Sequence, residues 1–191
     1  MVRNGGDFYS LGTATRSRRN HNSTGTTAMR TLAIVTASLL AIAAQGAAAQ
    51  AVRTERNISL ALANQVAAGA VAACATNGYA VAATVVDHAG VVRAVQRADN
   101  AGPHTLASSE RKAWTSASAK APTQAMMEGA QKNPGAANLV HLPGFLLLGG
   151  GVPIKVGNET IGAVGVGGAP GGHLDEQCAM AAIAQIQDQL K

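Results

Sequence analysis

Residues 84–123, TVVDHAGVVRAVQRADNAGPHTLASSERKAWTSASAKAPT, and residues 145–176, FLLLGGGVPIKVGNETIGAVGVGGAPGGHLDE, decide the fold. In the first stretch a β-branched run without helical period ends at Asp87-His88-Ala89-Gly90. Asp in first place and Gly in fourth suit a type I turn. Residues 79–86 and 91–97 therefore read as a hairpin, with Val91, Arg93, Val95 and Arg97 on one face of its second strand. A loop follows at residues 99–103. Thr105 then caps a helix that runs to about Lys120, and Pro122 forbids much continuation. In the second stretch, residues 145–148, 152–156 and 160–166 are three short apolar strands divided by glycine, with the tightest turn at Gly157-Asn158.

Working outward, Ile58, Leu62, Val66, Ala70 and Cys74 recur every four residues through an Ala-rich segment, the stripe of an amphipathic helix. Asn57 can cap its start and Asn77-Gly78 supplies its left-handed stop. Residues 126–131 add a further helical turn or two, ended by Asn133-Pro134-Gly135. Past the loop at 167–172, Asp175 and Glu176 stand in the first turn of a last helix, where the dipole favours anions. That helix is expected to bury Ala179, Ile183, Ile186 and Leu190. The order α-β-β-α-β-β-β-α predicts one α+β domain. Its antiparallel sheet has about five strands, with helices packed mainly on one face.

The amino-terminal quarter reads differently. Met29-Arg30 precedes an almost uncharged run, TLAIVTASLLAIAA, and then Ala47-Ala48-Ala49. A basic start, an apolar core and small residues at a cleavage point describe a secretory signal peptide over 29–49, cut near Ala49. The run is shorter than the roughly 20 residues a membrane span needs, so no span is expected after cleavage and the product is secreted or periplasmic. Residues 1–28, rich in Arg, Ser, Thr, Asn and Gly, read as a disordered or upstream extension, with Met29 as a candidate start. The domain itself is placed at 50–191.

Fifteen basic and ten acidic residues give the chain a formal charge of +5. Five of the basic residues and one acidic residue precede position 50, so the domain is close to neutral. Its aromatic residues are Tyr79, Trp114 and Phe145. Without a basic stripe or a stacking surface, a nucleic-acid role is excluded. Cys74 and Cys178 fall on the first and last helices. A bridge would need Cα atoms within about 7 Å. Spacing leaves that open, and two buried free thiols are the reading favoured by a small margin.

Candidate chemistry is sparse. Gly165-Val166-Gly167-Gly168 follows a strand, yet Pro170 stands where the dinucleotide pattern needs glycine. Gly149-Gly150-Gly151 lacks the Lys-Ser/Thr of a phosphate loop. Both read chiefly as bulges and close backbone approaches, with a small anion at the amides of the last helix as the alternative. His88, His104, His141 and His173 form no paired zinc pattern. His88 reads as a solvated turn residue, and His173 with Asp175 and Glu176 as a helix start or a metal site. His104, near Glu110, Arg111 and Lys112 on one helix, is the best single ligand candidate. Asp87, Arg97, Asp99, Glu110 and Lys112 cluster at strand ends and the following helix. Arg and Lys there would suit a carboxylate or propionate, and a structural ion-pair network explains them equally well. Ser108-Ser109 is no nucleophile elbow, so binding is favoured over turnover.

Val85-Val86-Asp87, Arg97-Ala98-Asp99, Ala101-Gly102-Pro103, Ser109-Glu110-Arg111-Lys112-Ala113, Ala121-Pro122-Thr123, Gly149-Gly150-Gly151-Val152-Pro153, Gly168-Ala169-Pro170 and Leu174-Asp175-Glu176-Gln177 together resemble the GlcG/HbpS-like family, in its secreted haem-binding branch. The resemblance implies a small α/β domain that self-associates and binds haem, with iron as a further candidate. In one case it implies partnership with a membrane sensor kinase. Two departures qualify it. The branch's haem-contacting histidine matches Asn57 here, and of an iron-linked Glu-x-x-Glu pair Ala107 replaces the first member while Glu110 is kept. The resemblance therefore implies a substitute ligand such as His104. An enzyme acting on haem or on a small carboxylate is the alternative, and a sensory partner without a small ligand the next.

Overall fold

The computed structural model describes residues 52–191 and forms one compact unit from Thr54 to Lys191. The extension and the signal-peptide reading lie outside the described residues. In chain order the elements are α1 (Leu60–Ala75), β1 (Ala82–Asp87), β2 (Val92–Arg97), α2 (His104–Ala119), α3 (Thr123–Lys132), a one-turn α4 (Pro134–Ala137), β3 (Gly151–Val156), β4 (Glu159–Gly167) and α5 (Gly172–Gln185). Short 3₁₀ turns follow α4 at Asn138–His141 and α5 at Gln187–Gln189.

Four strands form the sheet, in the order β2-β1-β4-β3 with every pair antiparallel. The fifth expected strand, residues 145–148, is irregular. Three of its backbone groups are taken by side chains instead of a neighbouring ladder. Leu146 N–H donates to Thr115 Oγ1, Phe145 O accepts from Arg111, and Leu148 O accepts from Thr123 Oγ1. An apolar run whose backbone is satisfied this way has no need of a strand partner.

Helices cover both faces of the sheet, not mainly one. Ala83, Val85, Val164, Val166 and Ile154 face α1 and α5, where Val66, Ala70, Ala179 and Ala182 complete the larger core. Val86 and Ala163 point the other way and pack with Ala113 and Ala117 of α2. All six residues of β1 are consequently buried. The helix α2 lies very close to the sheet because Gly165 has no side chain. A Cβ there would come within 2.4 Å of the Ala113 backbone nitrogen and closer still to Ser109 O.

The predicted stripe of α1 is the observed one: Ile58, Leu62, Val66, Ala70 and Cys74 are all buried. The cap differs. Ser59, not Asn57, accepts from the Leu62 amide, at 3.2 Å. Asn57 Oδ1 instead takes the amides of Ile58 and His88, tying the entry of α1 to the hairpin turn. At the other end α5 is shorter than expected, and its tail leaves Ile183 and Leu190 only partly covered while Ile186 is buried.

Cys74 and Cys178 are joined, with Cα atoms 5.3 Å apart and a sequence separation of 104. The reading as free thiols is thereby corrected. The physical reason is the Ala-rich contact of α1 with α5: small side chains let two helices approach to bridging distance.

Candidate functional site

The polar interior is organised by α2. Lys112 projects from the middle of this helix toward the end of β4 and the start of α5. Its Nζ donates to Val166 O at 2.9 Å and to Asp175 Oδ2 at 2.7 Å. Both side chains are nearly fully buried, at 2% and 4% exposure. Asp175 Oδ1 accepts the Ala169 amide at 2.9 Å. Burial pushes the Asp175 carboxyl above its ordinary 3.8, while Lys112 and the Ala169 and Gly168 amides offset part of that rise. The first-turn carboxylate of α5 is thus turned inward, onto Lys112 and the Ala169 amide of the preceding loop.

Hydroxyls complete this layer. Thr84 Oγ1 and Ser109 Oγ lie 2.8 Å apart between sheet and helix. Thr123 Oγ1 donates to Leu148 O and accepts from Gly151 N–H, closing the glycine loop 149–151 against α3. That loop is a close backbone approach, as its composition suggested. A Cβ on Gly150 would meet Asp175 at 2.7 Å and Lys112 Nζ at 3.0 Å.

The expected cationic cluster is dispersed. Lys112 points into the interior and has its charge met there. Arg97, on the exposed end of β2, donates to Ala101 O across the following loop. Asp87 is buried at the hairpin turn, where Oδ1 accepts the amides of Ala89 and Val91. Asp99 and Glu110 are exposed, and Arg111 reaches to Phe145 O at 2.8 Å. Asp87 and Lys112 each make structural contacts, but not within the ion-pair network of cluster members that the sequence offered as the alternative.

Of the histidines, His104 opens α2 with an exposed imidazole folded over Gly102. It shares the loop 98–103 with Arg97. His173 is exposed at the start of α5, whereas Asp175 is buried. His88 is not simply solvated: its Nε2 lies 2.6 Å from Glu55 Oε2, with the side chain 32% exposed. Among the described residues no group of three or more His, Cys, Asp or Glu side chains could hold a metal ion. The Lys112–Asp175 pair was missed by sequence reasoning. An Asp in a first helical turn reads as a dipole partner, and nothing local says that it faces a lysine 63 residues earlier.

This arrangement defines a small α+β domain whose four-stranded sheet is sandwiched by helices and locked by the buried Lys112–Asp175 ion pair. A family model described as haem degrading protein, HbpS-like, matches residues 58–184. The chain belongs to that family. The protein GlcG of Escherichia coli strain K12 is 36% identical over 90 residues, which is 47% of this chain and 66% of GlcG. The crystal structure of a double Glu-to-Asp mutant of Streptomyces reticuli HbpS shares 36% identity and covers 74% of this chain and 94% of that one, with a TM-score of 0.67. The chain has the fold of a PduOC–haem complex as well, with a TM-score of 0.60 at 23% identity, covering 67% of this chain and 94% of that one.

Proposed function

We propose that the protein is an exported haem- or tetrapyrrole-binding protein that captures its ligand at the head of α2. The single observation behind this reading is the HbpS-like match across 58–184, which takes in nearly the whole described domain. A related fold crystallised as a haem complex points the same way. Haem iron is commonly held by His, Cys, Met or Tyr. Here the cysteines are consumed in a disulfide, while His104 offers an exposed imidazole. Arg97 flanks the same loop and keeps donors beyond the one it gives to Ala101 O. These donors fit a surface-held haem: His104 would hold the iron and Arg97 a propionate, and the haem would supply redox and ligand-binding chemistry. Lys112 takes no part in contact and holds the frame of α2 through Asp175.

Export follows from the 29–49 segment, and self-association suits the outer face of β2. There Val92 and Val95 are 42% and 47% exposed. Among the described residues no helix is long and apolar enough to cross a membrane. A role in uptake, buffering or redox sensing, with or without a membrane sensor partner, is compatible with such binding.

Titration of the exported protein with haem, read at the Soret band, tests the proposal. Saturable binding at micromolar concentration that His104→Ala weakens roughly tenfold or more is expected, a loss of about 1.4 kcal/mol. No spectral change would remove haem from the account. The family description itself favours a second reading, haem breakdown. Loss of the Soret band with product formation in the presence of a reductant would select it.

A further inference from the structure

A cleft separate from the loop at His104 opens between the hairpin turn and the carboxyl-terminal half of α2. Its volume is about 220 Å³, and His88, Gly90, Trp114, Ala117, Ser118 and Lys120 line it. One wall is the indole of Trp114, the chain's sole tryptophan. That ring is held in place on several sides. Phe145 meets it edge-on, with centroids 5.6 Å apart and planes at 82°. Gly90, at φ +83°, approaches so closely that a Cβ would lie 2.7 Å from Trp114 Cδ1. Gly144, at φ +89°, packs against the six-membered ring so closely that a Cβ would lie 3.2 Å from Trp114 Cζ3. Two left-handed glycines thus frame one aromatic surface, a conformation other residues rarely adopt.

The polar groups of the cleft are few and of defined sign. Lys120 ends α2 in the left-handed conformation, at φ 56°, which turns the chain at the cleft's rim. Ser118 adds a hydroxyl donor. His88 is occupied at Nε2 by Glu55 Oε2, while its buried Nδ1 has no hydrogen-bond partner. The ammonium of Lys120 is left as the charge presented to a guest, and it disfavours cations over the same indole. About 220 Å³ lies below the roughly 300–1,000 Å³ of pockets that enclose drug-sized molecules. The space suits a single ring, not a macrocycle.

We infer that this cleft binds a small planar carboxylate, with its ring against Trp114 and its carboxylate on Lys120 and Ser118. Ring stacking and a charge-assisted hydrogen bond are the two interactions such a guest would make at once. The site is independent of the haem reading, since it uses none of Arg97, His104 or Glu110.

Benzoate and its neutral isostere benzamide are the probes, read by Trp114 fluorescence on the full chain and by backbone amide shifts of Ala89, Gly90 and Ser118. Benzoate is expected to give saturable changes in both readouts, with benzamide and Lys120→Ala each weaker by roughly tenfold. Lys120→Arg should retain binding, and His104→Ala should leave it unchanged. Linear, non-saturating quenching that is equal for benzoate and benzamide would overturn the inference. Amide shifts spread across the surface, or benzoate affinity unaltered in Lys120→Ala, would do so as well.

Discussion

The two faces of the sheet are closed by different chemistry. Toward α1 and α5 the contact is alanine, valine and isoleucine, finished by a covalent bridge between Cys74 and Cys178. Toward α2 the buried layer carries Thr84, Ser109, Lys112 and Thr115, and α5 contributes Asp175 to it. Each face also has its own tether to α5, a disulfide on one side and an ion pair on the other. The difference teaches how each side tolerates change. An apolar face loses energy in proportion to the volume removed, whereas a buried polar layer fails through whichever partner is left behind.

Removing one charge from the polar face should have the largest effect. Lys112→Met leaves the Asp175 carboxylate buried opposite a thioether. A loss of about 3–5 kcal/mol in chemical denaturation is expected. Lys112→Met combined with Asp175→Leu should recover part of it. A single variant no less stable than the parent would break the comparison outright.

On the apolar face, replacing both cysteines by alanine removes a cross-link spanning 104 residues. Unfolding free energy should fall by about 2–5 kcal/mol. The far-UV circular dichroism of the native state should be kept, because Cys74 and Cys178 sit among helices already packed by alanine. Native-state loss of helicity would show that the bridge, not the packing, holds α1 to α5.

A smaller effect tests whether the hydroxyls act in pairs. Thr84→Val leaves Ser109 with its other bond, to Leu106 O, so a cost of about 1 kcal/mol is expected. A double-mutant cycle with Ser109→Ala should give a coupling of at least about 0.5 kcal/mol. Strict additivity would mean the 2.8 Å contact contributes shape and no bond energy.

The smallest effect is in pH. Because burial holds the Asp175 carboxyl above 3.8, the folded state keeps its proton longer than the unfolded chain does. This group's contribution to stability therefore falls as pH rises from 3.8 to the folded value. A side-chain carboxyl resonance that titrates at or below 3.8 would reverse that sign and make the ion pair the dominant influence.

Much of the frame was legible in the chain. The i+4 stripe of α1, the Asp87–Gly90 turn and the glycine-bounded runs of β3 and β4 are local patterns, and local backbone preference largely settles such elements. The candidate site was legible only in its residue types. Lys112 was singled out for its charge, yet its direction depended on where β4 and α5 end. Phe145–Leu148 looked like a strand by composition, and the side chains of Arg111, Thr115 and Thr123 took its hydrogen bonds instead.

The amino-acid order by itself determined the helix and hairpin positions, the family to which the chain belongs and the near-neutral charge of its domain. Tertiary structure alone decided that helices lie on both faces, that Cys74 meets Cys178, and that Lys112 meets Asp175. These contacts join residues 63 and 104 positions apart. Whether such groups meet depends on ångström-scale distances between packed elements, which no spacing along the chain encodes.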